Sequence, residues 1–383
     1  MKSPVTQHMT AHPHRCLNGR GAAEFCRTCL DSCPQNAIEM VGDRIRFDET
    51  RCNDCALCTS DCPTEVFSHD SFSPIDFVNL AEGKKELELH CQFADESQVK
   101  SGSLPIPCHG LLDEHLLIGL NAVGVESIHL HGLSKCEACP TRVGANRLAQ
   151  TREKSAPALA ARLPSVLDDS GTSSVITGSD DRARRTKAPM DRRGFLGASV
   201  NAVAYATLSA LPGNLLHSQN REAGRVASDP SQCTVKHIPQ AHRLTLFNLR
   251  SGQLSTEAND DMPAWFHEVR GQGECDACGI CSLGCPTGAL LTEDADQTLM
   301  LRFRSAACIG CGLCTASCPR QALQLIPSRN ETMILDDRKQ TLFEFERVIC
   351  ESCGARFTSH GDHSDLCQSC ENEREIHAQW TAR

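Results

Sequence analysis

CDACGICSLGCP, residues 275–286, and CIGCGLCTASCP, residues 308–319, place Cys275, Cys278, Cys281 and Cys285, then Cys308, Cys311, Cys314 and Cys318, in one C-x2-C-x2-C-x3-C-P order. Each run ends in Cys-Pro followed by a short apolar pair, in CPTGAL and CPRQAL. The amino-terminal region repeats the device in CPQNAI and CPTEVF. Between the runs lie alternating stretches, MVGDRIRF (40–47) and TLMLRFR (298–304), which predict a short strand or hairpin. The chain therefore carries two copies of a two-fold module, each of the β-plus-short-helix kind.

Three thiolates on so tight a loop reach three irons of one [4Fe-4S] cubane, while the fourth, turned by proline, points to the neighbouring cluster. This crosswise logic groups Cys275, Cys278 and Cys281 with Cys318, and Cys308, Cys311 and Cys314 with Cys285. In the amino-terminal copy nine residues separate Cys16 from Cys26, after which Cys26, Cys29 and Cys33 and then Cys52, Cys55, Cys58 and Cys62 follow the pattern. The expected sets there are Cys16, Cys26, Cys29 and Cys62, and Cys52, Cys55, Cys58 and Cys33. A disulfide framework and zinc are the competing readings of these thiols, and loops this short suit cubanes better. The segment 275–319 resembles a bacterial two-[4Fe-4S] ferredoxin over its whole length; counted with the two sets of the amino-terminal copy, the expected cofactors include four [4Fe-4S] clusters.

Composition agrees with modules held by cofactors. The 383 residues include 25 cysteines but only 4% aromatics, too few for one large aromatic core. A net charge of −10 argues against nucleic-acid binding and suits a protein partner. Residues 1–15 hold no apolar stretch of the secretory kind, so a cytoplasmic location is expected.

From Lys85 to Gln150 the pattern changes to strand (ELELHC), strand (LPIPC), helix (LLDEHLLIGLNAVG), strand (SIHLHG) and a cysteine loop, predicting a small α/β layer. Cys91, Cys108, Cys136 and Cys139 fall at strand ends or in following loops. This order resembles the delta subunit of methyl-viologen-reducing hydrogenases, also found fused to heterodisulfide reductase subunits. The resemblance implies a [2Fe-2S] cluster on these four cysteines; buried structural thiols are the alternative. His109, His129 and His131 would serve a mixed site. Further on, Cys350, Cys353, Cys367 and Cys370 form C-x2-C-x13-C-x2-C with Gly354 after the first pair, the spacing of structural zinc knuckles, with rubredoxin-like iron as the minor alternative. His360 and His363 between the pairs read as solvated.

Residues 190–214, MDRRGFLGASVNAVAYATLSALPGN, resemble a twin-arginine signal at Arg192-Arg193, displaced far from the amino terminus. A signal remnant, an internal start at Met190 and a packed helix are the readings; the segment is too polar for a confident membrane span. Residues 151–187 read as a linker. RLTLFNL (243–249) reads as a strand, and the Trp265-Phe266 pair is expected to pack on the module that follows.

The expected architecture is α+β. It comprises a ferredoxin-like (ββα-repeat) module at 1–74, an α/β domain at 75–150, a linker at 151–220, a second ferredoxin-like module at 221–330 and a zinc-ribbon-like module at 331–383. With no dinucleotide fingerprint and no nucleophile-base constellation, the chain reads as an electron conduit. The expected partners are a formate dehydrogenase, a hydrogenase or a flavoprotein. An assembly factor for a molybdoenzyme or iron-sulfur enzyme, resembling the small polyferredoxins of nitrate reductase systems, is the alternative.

Overall fold

The structure, a computed structural model, describes residues 8–20, 26–95, 97, 99–154, 163–168, 236–252, 265–295, 297–328, 330–359 and 365–381. The twin-arginine-like segment, most of the expected linker, His360 and His363 lie outside these residues. The chain divides into two compact units, Met1–Trp265 and Phe266–Arg383.

In the first unit, β1 (Met9–Ala11) pairs antiparallel with β4 (Phe67–His69), and β2 (Ile38–Val41) forms a hairpin with β3 (Arg44–Phe47). Two one-turn helices, α1 (Thr28–Ser32) and α2 (Leu57–Asp61), each end at a Cys-Pro and pack on one another. Proline ends them because it offers no N–H and disfavours helical φ/ψ in the residue before it. Phe67 and Leu57 are fully buried here, each contributing about 1.5–3 kcal/mol of apolar burial.

A parallel sheet of order β6-β5-β7-β8 follows, from β5 (Glu86–Cys91), β6 (Leu104–Ile106), β7 (Ser127–His131) and β8 (Ser165–Leu167). Helices α3 (Pro74–Ala81), α4 (Glu114–Ala122) and α5 (Gly144–Lys154) belong to the same unit. Ser73 caps α3 by accepting from Asp76 N, and Asp113 caps α4 by accepting from Leu116 N at 2.9 Å. Part of the expected linker is structured: residues 151–154 extend α5, and β8 joins the sheet edge with Val166 buried.

The strand read at 243–249 is instead part of helix α6 (Gln240–Arg250). Its buried positions, His242, Thr245, Asn248 and Leu249 with Leu244, follow helical spacing. Thr245 and Asn248 donate to the carbonyls four residues back, so polar residues complete a stripe that apolar alternation alone conceals. The helix lies against α4, where Gly119 permits the approach: a Cβ there would stand 3.0 Å from Val78 and 3.3 Å from Leu244. Trp265 also differs from expectation. Its ring lies 6.3 Å from that of His115 on α4, while Phe266 is buried in the second unit.

In the second unit, β9 (His267–Gly271) pairs antiparallel with β12 (Leu323–Pro327), echoing the β1–β4 pair. A four-stranded sheet of order β10-β11-β13-β14 joins β10 (Leu290–Ala295), β11 (Thr298–Phe303), β13 (Gln340–Ile349) and β14 (Arg356–Ser359). Leu299, Leu301 and Phe303 alternate inward along β11, as a half-buried strand requires. Helices α7 (Ile280–Gly284) and α8 (Leu313–Ala316) repeat the crossing of α1 and α2; α9 (Glu331–Asp336) and α10 (Gln368–Thr381) follow.

Candidate functional site

The backbone of the cysteine loops repeats as closely as their sequence. In the three regularly spaced runs, positions two and four after the first cysteine are left-handed: Asp54 (φ 55°) and Ala56 (58°), Ala277 (53°) and Gly279 (72°), Gly310 (66°) and Gly312 (72°). Three residues after each Cys-Pro cysteine the same occurs, at Asn36 (48°), Glu65 (50°), Gly288 (72°) and Gln321 (52°). Several of these residues carry a Cβ and adopt this region at a cost of about 1–3 kcal/mol, which persists only where the surroundings enforce it. Alternating right- and left-handed residues turn successive N–H groups into one concavity suited to negative charge. The thiols use these donors: Cys33, Cys62 and Cys318 Sγ each accept a backbone N–H at 3.3 Å, from Ala37, Val66 and Ala322.

The loops bring cysteines together across the runs. A hollow of about 510 Å³, its open mouth included, is lined by Cys275, Cys278, Cys281 and Cys318. Another of about 320 Å³ is lined by Cys33, Cys52, Cys55 and Cys58. In the remaining two groups the thiols feel one another's charge: Cys29 that of Cys62, Cys16 and Cys26, and Cys314 that of Cys308, Cys311 and Cys285. Burial pushes Cys29, Cys55, Cys281, Cys308 and Cys314 up to about 12. Four thiols so clustered ionise together only around positive charge, and an iron-sulfur core supplies it. Donor type, number and apolar lining all fit [4Fe-4S] clusters.

Cys16 joins its group through a residue that no motif marks. Asn18, 2% exposed, closes the long loop by pairing with both backbone groups of Cys26.

Cys91, Cys108, Cys136 and Cys139 gather at one end of the parallel sheet. Cys91 feels the charge of Cys139, Cys136 that of both, and Cys108 that of Cys136 and Cys91. Helix α5 begins against them. A Cβ on Gly144 would stand 2.9 Å from Cys108 Sγ and 3.5 Å from Cys136 Sγ, and the Ala145 N–H donates to Cys136. Arg142 N donates to Cys139 Sγ at 3.2 Å. Burial pushes Cys108 up to about 12 and Cys136 to about 11. Of the three histidines, fully buried His109 places Nδ1 3.9 Å from Cys136 Sγ, His131 pairs with Glu88 at 2.5 Å, and His129 lies half-buried on β7.

This group adjoins the first module. Cys108 also feels Cys55, and Gln92 donates to the carbonyls of Asn53 and Asp54 at 3.0 and 3.2 Å. Asn53 donates to Thr141 Oγ1 at 3.0 Å, and Gln35 to the Pro140 carbonyl at 2.8 Å. These contacts link distant cysteine loops and have no local sequence signal.

In the second unit the ligand atoms of Cys350, Cys353, Cys367 and Cys370 lie within 4.8 Å of one another, with Cys353 and Cys367 Sγ 3.7 Å apart. A tetrahedral zinc with bonds of about 2.3 Å spaces its sulfurs by about 3.8 Å, so the donor set fits. Gly354 (φ 70°) makes the tight turn, its N–H donating to the Cys350 carbonyl at 2.9 Å. Backbone N–H donors, first that of Cys367, hold the Cys350 thiol down to about 6.

No helix among the described residues is long and apolar enough to cross a membrane. Two 4Fe-4S dicluster domain families match, one at residues 24–66 and the other at residues 274–323. Cys16 lies outside the first match. Among characterised proteins, Hydrogenase-4 component A of Escherichia coli (strain K12) is 29% identical over 113 residues, 29% of this chain and 44% of that protein. The chain thus matches less than half the length of this relative. A ferredoxin of Alicyclobacillus acidocaldarius subsp. acidocaldarius is 32% identical over 59 residues, 15% of this chain and 76% of the ferredoxin. Mixed α/β structure, repeated cysteine concavities and this coverage lead to one conclusion: the chain belongs to the ferredoxin family of iron-sulfur electron-transfer proteins.

Proposed function

We propose that the chain is a multi-centre relay passing single electrons to or from a redox enzyme of the hydrogenase or formate dehydrogenase kind. The observation that carries this reading is the crosswise gathering of cysteines in both modules, with a further cysteine group next to one of them. The groups Cys16/Cys26/Cys29/Cys62, Cys33/Cys52/Cys55/Cys58, Cys275/Cys278/Cys281/Cys318 and Cys285/Cys308/Cys311/Cys314 each hold a [4Fe-4S] cluster. Cys91, Cys108, Cys136 and Cys139 hold a [2Fe-2S] cluster, and Cys350, Cys353, Cys367 and Cys370 a structural zinc. Bound there, the clusters supply reversible one-electron acceptance.

The protein's own part is to tune and connect. Backbone N–H groups donate to the thiolate sulfurs and favour the more negative, reduced state; apolar walls line the hollows; α5 directs the positive end of its dipole at Cys136 and Cys108. A hydrogenase partner is supported by the likeness to a protein named as a hydrogenase component.

The test is anaerobic purification of the full chain, with iron, acid-labile sulfide and zinc quantified, then low-temperature EPR during stepwise reduction. The reading expects about 18 iron and about one zinc per chain, with interacting paramagnets. Iron stopping near eight, with one cysteine octet free, would favour the assembly-factor alternative.

A further inference from the structure

Between the Cys33/Cys52/Cys55/Cys58 group and the Cys91/Cys108/Cys136/Cys139 group lies an ion pair that ligates nothing. Arg147 of α5 donates from Nη2 to Asp61 Oδ1 at 2.5 Å, both side chains being about four-fifths buried, with exposures of 21% and 23%. Asp61 ends α2, immediately before Cys62, and its other oxygen accepts from the hydroxyl of Ser32, immediately before Cys33. The carboxylate thereby joins the residues that precede the two Cys-Pro cysteines of this module, Cys33 of the first group and Cys62 of the Cys16/Cys26/Cys29 group. On its other side, the Arg147 stem lies against the turn that follows Cys108. A Cβ on Gly110 would stand 3.3 Å from both Cβ and Cδ of Arg147, and 3.1 Å from Leu57 of α2. The guanidinium charge is felt at Cys55 in one group and is coupled to Cys108 in the other.

We infer that Arg147 is an electrostatic bridge between these two sites, raising the reduction potential of the centre on each side and favouring residence of the electron at this junction. The inference rests on the relay reading above. Each electron that arrives adds one negative charge and moves no proton, because the guanidinium is charged throughout. A fixed cation in a poorly screened position stabilises that added charge. Iron-sulfur potentials respond to such surrounding charge and hydrogen bonding. Asp61 sets the opposite bias while holding the cation in place. The second unit lacks the device, since the positions equivalent to Ser32 and Asp61 are Gly284 and Ser317. Its centres serve as an internal control.

The experiment is an EPR-monitored redox titration of the full, iron-loaded chain as wild type, Arg147→Met, Arg147→Lys and Asp61→Asn, with iron counted for each. Arg147→Met keeps the stem and deletes the charge; two midpoints move negative by about tenfold in the reduction equilibrium, about 59 mV for a one-electron couple. Arg147→Lys recovers most of that shift. Asp61→Asn moves the same two midpoints positive, while those of the second unit stay put. Unmoved midpoints at full iron content overturn the inference, as do shifts of the same sign in Arg147→Met and Asp61→Asn. Iron loss in Arg147→Met that Arg147→Lys repairs, with midpoints unshifted, assigns the residue to packing and also overturns it. Wild-type iron below about 18 strikes the relay reading itself, before any variant is compared.

Discussion

Asn18 and Cys26 are joined by two hydrogen bonds through one carboxamide: Nδ2 donates to the Cys26 carbonyl at 2.7 Å, and Cys26 N donates to Oδ1 at 2.8 Å. The pair closes the one cysteine loop that departs from regular spacing, and so holds Cys16 within reach of Cys26, Cys29 and Cys62. Asn18→Ala leaves both backbone groups of Cys26 without these partners, a cost of about 1–3 kcal/mol. The expected result is a lower melting temperature and loss of about four iron per chain. Asn18→Asp keeps the acceptor and loses the donor, so it falls between. Full iron in Asn18→Ala would show that Cys16 is held by other means.

Gly144 stands where a side chain would meet two thiols, so its substitution separates site integrity from helix stability. Alanine at the start of α5 is a better helix former than glycine by about 1 kcal/mol. Its Cβ would nonetheless approach Cys108 Sγ to 2.9 Å, forcing that sulfur or the helix to move. Gly144→Ala is expected to lose the iron proposed for the central group while the signals of both dicluster modules persist. Retention of every signal would mean that Cys108 does not hold a cluster in that position.

Asp113 caps α4, and burial pushes its carboxyl from 3.8 up to about 6, with the Asp61 charge adding to the rise and the Leu116 N–H and Arg147 opposing it. A raised acid pKa means that the folded chain binds the proton more tightly than the unfolded chain. The ionised group therefore costs stability at and above about pH 6, and the cost fades as pH falls toward 4. Asparagine caps as well as aspartate and carries no charge. Chemical denaturation of Asp113→Asn should show a gain of about 1–3 kcal/mol at pH 7.5 that vanishes near pH 4. A variant less stable than wild type at pH 7.5 would mean that attraction to Arg147 outweighs the burial cost.

What the sequence disclosed was local. C-x2-C-x2-C-x3-C-P announced both dicluster segments because ligand spacing is written in consecutive residues, and the hydrophobic alternation around Leu87 and Ile128 announced the strands of the central layer. Helix α6 is hidden in the sequence because Thr245 and Asn248 lie on its buried face, where apolar residues would mark a helix. Sequence adjacency pairs Trp265 with the module that follows it and offers no sign of a partner 150 residues earlier at His115. The links Gln35–Pro140, Asn53–Thr141 and Asp61–Arg147 join ordinary surface-type residues far apart in the chain, and only the fold brings them together.

Gly310 poses a sharper question, because its counterparts in the other regular loops are not glycine. Asp54 and Ala277 occupy the same position with the same left-handed φ, so the backbone alone tolerates a Cβ there at a cost of about 1–2 kcal/mol. At Gly310 a Cβ would fall 2.3 Å from the ring of His267, which lies directly over the loop. The glycine is thus required by the histidine rather than by the turn. Gly310→Ala should displace the loop and lose the iron proposed for Cys308, Cys311, Cys314 and Cys285. His267→Ala alone should retain that iron, and His267→Ala with Gly310→Ala should recover it, leaving only the backbone cost. Iron counts and unfolding of the single and double variants form a cycle in which the coupling is large and favourable. Additive losses would place the demand for glycine in the backbone after all.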